Sequence, residues 1–91
     1  FDHWGRMKII AALRQKRIDH EHIQAALSQI DEDSYRALLQ ELLTKKQRSL
    51  GDEESPANRA KLVRFAVSRG FEPGLVFTLL GTTYNRDSYD D

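Results

Sequence analysis

No cysteine occurs among the 91 residues, so neither a disulfide nor a thiolate zinc site can be built from them. The same absence suits a reducing cytoplasm. No apolar run approaches the roughly 20 residues that a membrane-spanning helix requires, which excludes a lipid-spanning role. No signal peptide is visible. The chain opens on Phe1 rather than Met, as expected of a fragment whose natural N-terminus lies upstream. Net charge is also missing, because 14 basic residues balance 14 acidic ones. The acids sit in joints and caps, with no nucleophile, phosphate loop or metal constellation beside them, so the pattern gives no support to an enzyme. His20 and His22 form an H-x-H pair, but residues two apart on a helix point about 200° apart and cannot readily share one ion. No metal and no cofactor is expected.

What the chain does have is a repeat of itself. Lys8 to Leu27 returns in register 53 positions later as Lys61 to Leu80: Ile9 meets Leu62, Ile10 meets Val63, Lys16 meets Arg69, Ile18 meets Phe71, Asp19 meets Glu72, Ile23 meets Val76 and Leu27 meets Leu80. A duplicated helical unit explains this best, and arrays of such units bind partners more often than they catalyse. With 40% hydrophobic and 31% charged residues, the composition suits a helix-rich domain with a thin core.

Periodicity predicts five helices. The first, near 5–17, carries Ile9, Ile10 and Leu13 on one face, with Trp4 placed to act as an N-terminal hydrophobic staple. Asp19 is a plausible N-cap for the second, over about 20–30, whose Ile23, Ala26, Leu27 and Ile30 follow the spacing of a buried stripe. The third starts among Asp31, Glu32 and Asp33, which favour a helix N-terminus. It runs to about 48 with Tyr35, Leu38, Leu39, Leu42 and Leu43 inward. Ser55 and Pro56 start the fourth, to Arg69, and Gly70 closes it in a left-handed conformation. Phe65, mid-face between Leu62 and Ala66, is expected to be buried. Arg17 holds the position of Gly70 in the first unit, where a left-handed conformation costs more, so that turn is expected to close differently. Pro73 opens the fifth helix, with Leu75, Val76, Leu79 and Leu80 inward. The expected organisation is a three-helix repeat over 1–50, a linker at 51–55, a helix pair as second repeat over 56–80 and a mobile tail over 81–91.

Charge is segregated within the neutral total. Arg6, Lys8, Arg14, Lys16 and Arg17 share the first helix without an acid, and Arg59, Lys61, Arg64 and Arg69 share the fourth in the same way. Such local fields steer partners even when the sum is zero. Lys61, Arg64 and Ser68 fall on one stripe of helix four, able to grip acidic protein or phosphate, against the plain alternative of a solvated face. Lys45, Lys46 and Arg48 close the third helix, where its dipole alone explains them. The candidate partner-binding set is therefore Lys8, Arg14, Lys16, Lys45, Lys46, Arg48, Lys61, Arg64 and Arg69.

The strings Trp4-Gly5-Arg6-Met7-Lys8-Ile9, Leu13-Arg14-Gln15-Lys16-Arg17-Ile18 and, most specific, Arg64-Phe65-Ala66-Val67-Ser68-Arg69-Gly70-Phe71 give the chain a resemblance to the RecX family, cytoplasmic bacterial regulators of the RecA recombinase. It covers about residues 4–80, corresponding to the second and third repeats of that family. The resemblance implies an all-α fold of tandem three-helix, helix-turn-helix-like repeats in an elongated, right-handed or curved array. It also implies a non-enzymatic regulator of recombination, DNA repair and the SOS response. Such a regulator binds the RecA filament as a monomer and restrains its extension, ATP hydrolysis and strand exchange. Arg17, in place of the more usual glycine, and the neutral net charge depart from the family pattern. Two rival readings stay open: a helical module that contacts single- or double-stranded DNA directly, and a plain protein-interaction scaffold.

Overall fold

The computed structural model describes residues 3–51 and 54–85, and these form five helices and no strand: α1 (Arg6–Gln15), α2 (His20–Ser28), α3 (Glu32–Ser49), α4 (Pro56–Ser68) and α5 (Pro73–Asn85). The array is elongated, 46 × 25 × 17 Å. Local chemistry sets most boundaries. The Asp19 side chain accepts from the His22 N–H at 3.0 Å, Asp31 from the Ser34 N–H at 2.9 Å and Ser55 from the Asn58 N–H at 3.1 Å, so α2, α3 and α4 each start on a side-chain cap. Of the tail expected over 81–91, residues 81–85 continue α5, and 86–91 lie outside the described residues, as do 52 and 53 of the expected linker.

The two helix turns of the repeat close in the same way. Arg17 N–H donates to the Arg14 carbonyl at 2.9 Å and Ile18 N–H to the Leu13 carbonyl at 3.0 Å. At the matching positions Gly70 donates to Val67 at 2.9 Å and Phe71 to Ala66 at 3.2 Å. Arg17 adopts the left-handed conformation (φ +62°) that Gly70 adopts more freely (φ +94°). The different closure expected of the first turn is therefore not found: Arg17 accepts a cost of about 1 kcal/mol in left-handed backbone so that Leu13 and Arg14 carbonyls find partners.

The main buried cluster draws on residues from both sides of the linker expected at 51–55. Tyr35, Leu39, Leu42 and Leu43 of α3 pack with Leu62 and Ala66 of α4, with Phe71, and with Val76 and Leu80 of α5 in one cluster. An 18-residue helix is long enough to cover both members of the following pair, and α3 packs chiefly against α4 and α5. The first pair, which pairs chiefly with itself, is correspondingly less covered. Ile18 is 39% exposed, whereas its counterpart Phe71 is 1% exposed, and Leu27 is half-buried where Leu80 is fully enclosed.

Phe65 is also placed otherwise than expected. The buried stripe of α4 runs through Leu62 and Ala66, and Phe65, one position off it, is only half-buried. Its ring carries the Arg69 guanidinium at 4.9 Å and the Lys46 ammonium at 5.4 Å.

Candidate functional site

Two clusters of charged side chains stand out, and only one of them is available to a partner. The first surrounds Arg6. The N-cap of α1 is Gly5, which has no side chain to satisfy the first N–H groups of the helix. Those donors are met from elsewhere in the fold: Gly5 N–H donates to the Arg69 carbonyl at 2.7 Å, Met7 N–H to the Gly70 carbonyl at 2.9 Å and Arg6 N–H to the Tyr35 hydroxyl at 2.8 Å. The start of α1 thus meets the end of α4, where orphan donors face orphan carbonyls and the positive end of one helix dipole lies against the negative end of the other.

The Arg6 guanidinium then reaches Glu72 at 2.9 Å and Glu32 at 2.6 Å, and lies 4.0 Å above the Tyr35 ring, while the Tyr35 hydroxyl donates to Glu72 at 2.5 Å. Burial would raise the Glu72 carboxyl, but the hydrogen bonds from Tyr35 and Arg6 outweigh it and hold that group below the usual carboxylate range. Glu32 is held low by Arg6 and then by Arg36. Burial, together with the hydrogen bond to Glu72, pushes the Tyr35 phenol well above its ordinary value. These shifts describe a satisfied ionic joint between helices. Arg6, counted by sequence among the basic residues of α1, is spent on it.

The second cluster lies where α3 ends against α4. Lys46, Leu50, Lys61, Arg64, Phe65 and Ser68 line one open cleft. Two stretches 15 residues apart in sequence are brought together there, and among the described residues no acid lines the cleft. Phe65, a core residue by sequence periodicity, supplies an aromatic wall here. The other candidates are dispersed. Lys45 pairs with Glu41 at 3.7 Å along α3, Arg48 is exposed in the last turn, and Arg14 and Lys16 are exposed at the end of α1. Lys8 places its ammonium 4.4 Å above the Trp4 ring. Trp4 and Ile9 line the same concavity, as a staple at the start of α1 requires. Arg69 touches the cleft through the Phe65 ring.

Little here suits a metal. The His22 Nδ1 lies 2.6 Å from Asp19, which the backbone N–H of His22 and then its ring hold below the ordinary range, and among the described residues no three potential ligands converge. Among the described residues no helix is long and apolar enough to cross a membrane.

Comparison with known proteins follows the same divisions as the core. Residues 33–80, which span α3 to α5, match the third three-helix domain of RecX, and residues 1–27 match the second. The regulatory protein RecX of Amycolatopsis mediterranei (strain U-32) is 29% identical over 76 residues, 84% of this chain. The chain spans 43% of the length of that relative. No solved structure matches.

Proposed function

The chain belongs to the RecX family, and on that premise we propose that it is a non-enzymatic regulator that docks on the RecA recombinase filament in the cytoplasm. The action is to restrain filament extension, ATP hydrolysis and strand exchange in recombination and repair. One observation carries the choice of surface: Lys46, Lys61 and Arg64 converge from two helices on a cleft walled by Phe65. Convergent cations raise the local potential more than the same charges spread over a helix, and an aromatic wall adds contact area that a merely solvated face has no use for. The elongated outline suits a groove better than a flat patch.

Lys46→Glu combined with Lys61→Glu tests the reading in the full-length protein. Both side chains are long and sit at the cleft, so the core of α3 to α5 should be undisturbed and the field reversed. Reversed charges slow association and repel an acidic partner, and binding to RecA filaments on single-stranded DNA should fall by about tenfold or more. Filament binding that stays at the wild-type level in a folded double variant would move the interaction away from this cleft. Salt separates the rival reading, since direct phosphate binding should weaken much more steeply with ionic strength than a mixed protein interface.

A further inference from the structure

We propose that Phe65 is the positioning residue of the basic cleft: its ring holds the Lys46 and Arg69 cations in place for the carboxylates of a partner-protein segment, and is not a platform for a stacked base. The Lys46 ammonium lies 5.4 Å and the Arg69 guanidinium 4.9 Å from the ring centroid, within the range where an aromatic quadrupole attracts a cation. Lys46 is half-buried, and Lys61, Arg64 and Arg69 are exposed. None of the four has an ion-pair partner among the described residues. A long side chain loses rotamer freedom when it engages a ligand, and one already held over a ring has less of it to lose.

The backbone under Arg69 is fixed as well. Its N–H donates to the Ala66 carbonyl at 3.1 Å, and its own carbonyl accepts from the Gly5 N–H at 2.7 Å, so this cation stands on the joint between α1 and α4. The duplication provides a contrast. Moving back 53 positions, Phe65 becomes Ala12 and Arg69 becomes Lys16, which is exposed on the first pair with no ring one turn before it. The aromatic is present in the pair where a second cation, Lys46, arrives from α3, and absent from the pair where none does.

This arrangement specifies the occupant. Single-stranded nucleic acid is held by bases stacked on open aromatic faces along a broadly basic groove. Here a base would have to displace two cations from the ring, and 14 acidic residues cancel 14 basic ones over the whole chain, so attraction for an extended polyphosphate is confined to one cleft. Carboxylates need neither an open ring nor an extended field. Guanidinium groups such as those of Arg64 and Arg69 bind them through paired N–H donors, and Leu50, which also lines the cleft, offers apolar contact to the methylene stem of a glutamate. The inference rests on the reading that this cleft is the docking surface, and names the chemistry that it takes.

The experiment uses the full-length protein with two probes, a short polyglutamate peptide and a single-stranded oligonucleotide, and RecA filaments as a separate arm. In wild type the ring current of Phe65 should move the side-chain methylene protons of Lys46 and Arg69 upfield, and the peptide should shift the amide resonances of residues 61–69. Phe65→Leu keeps an apolar side chain against the core and removes the ring. It should fold, lose both upfield shifts and bind the peptide about fivefold more weakly. Phe65→Tyr, which restores a ring, should recover both the shifts and the affinity. Ordinary positions for the Lys46 and Arg69 protons in wild type overturn the proposal without any variant. So does peptide binding by folded Phe65→Leu at the wild-type level, or oligonucleotide binding that shifts the Phe65 ring resonances and is lost in Phe65→Leu. If wild type fails to bind filaments while the peptide binds in a ring-dependent way, the filament reading falls and the role of Phe65 stands. If filaments bind wild type and folded Phe65→Leu equally, the role of Phe65 falls and the filament reading stands.

Discussion

Gly5→Ala should detach α1 from the rest of the array. A Cβ at that position would stand 2.1 Å from the Gly70 carbonyl carbon, 2.2 Å from the Phe71 nitrogen and 2.3 Å from the Gly70 oxygen. All three are backbone atoms, which cannot swing aside as the tip of a side chain can. Either the two helices part or the turn after α4 deforms. Overpacking of this kind costs about 1–3 kcal/mol, and parting also forfeits the bonds from Gly5 to Arg69 and from Met7 to Gly70, about 0.5–1.5 kcal/mol each. A loss of about 3 kcal/mol or more in urea unfolding is therefore expected, with the α3–α5 core intact. Gly51→Ala is the control. Its backbone is left-handed at φ +102°, but nothing lies within 4 Å of a new Cβ, so only the conformational cost of about 1–2 kcal/mol applies. Equal losses in the two variants would show that the Gly5 contact is not a constraint.

Phe71→Ala should be the most damaging truncation in the core. Its ring is 1% exposed and lies 5.3 Å from that of Tyr35, in the cluster where α3, α4 and α5 meet. Removing a buried phenylalanine costs about 3–5 kcal/mol through lost contact and the cavity left behind. Small domains have about 5–15 kcal/mol in total. Phe65→Ala, on a half-buried ring whose outer face is occupied by cations, should cost clearly less and should act instead on partner binding. A Phe65→Ala variant as unstable as Phe71→Ala would place that ring in the core after all.

The sequence disclosed what depends on neighbours along the chain. Caps at Asp19, Asp31 and Ser55 and the stop at Gly70 are local hydrogen-bond and dihedral preferences, and helix bounds followed from them. The duplication also told which positions correspond, but the closure of the Arg17 turn was misjudged, because the sequence shows the cost of a left-handed arginine and not the carbonyls of Leu13 and Arg14 that offset it. What lay beyond reach was every decision made between distant segments. Arg6 looks like one more cation on an acid-free helix until Glu32 and Glu72 arrive from 26 and 66 residues away. Phe65 lies one position from the buried stripe, an angular difference that α3 alone decides. Lys46 and Lys61 share a cleft only because α3 packs against α4. Grouping α3 with the second pair required knowing which core it enters, and periodicity reports that a face is apolar without naming what covers it. A signal for the Gly5 contact was present: a helix that begins without a Ser, Thr, Asp or Asn cap must find its first acceptors somewhere.

That borrowed cap imposes an order of assembly. Helices α2, α3 and α4 can each begin on their own side chains, but the first turn of α1 has protein acceptors only once the end of α4 and the Tyr35 hydroxyl are in place, and until then only water can serve. The α3–α5 unit is therefore expected to organise before α1 is completed, and the amide protons of Gly5 and Met7 should be protected from solvent exchange only for as long as the Arg69 and Gly70 carbonyls are seated against them. Exchange at those two amides that continues unprotected in the folded chain would contradict it. Among the described helices the order of dependence thus runs against the order of the chain, α1 being capped by a segment some sixty residues further on.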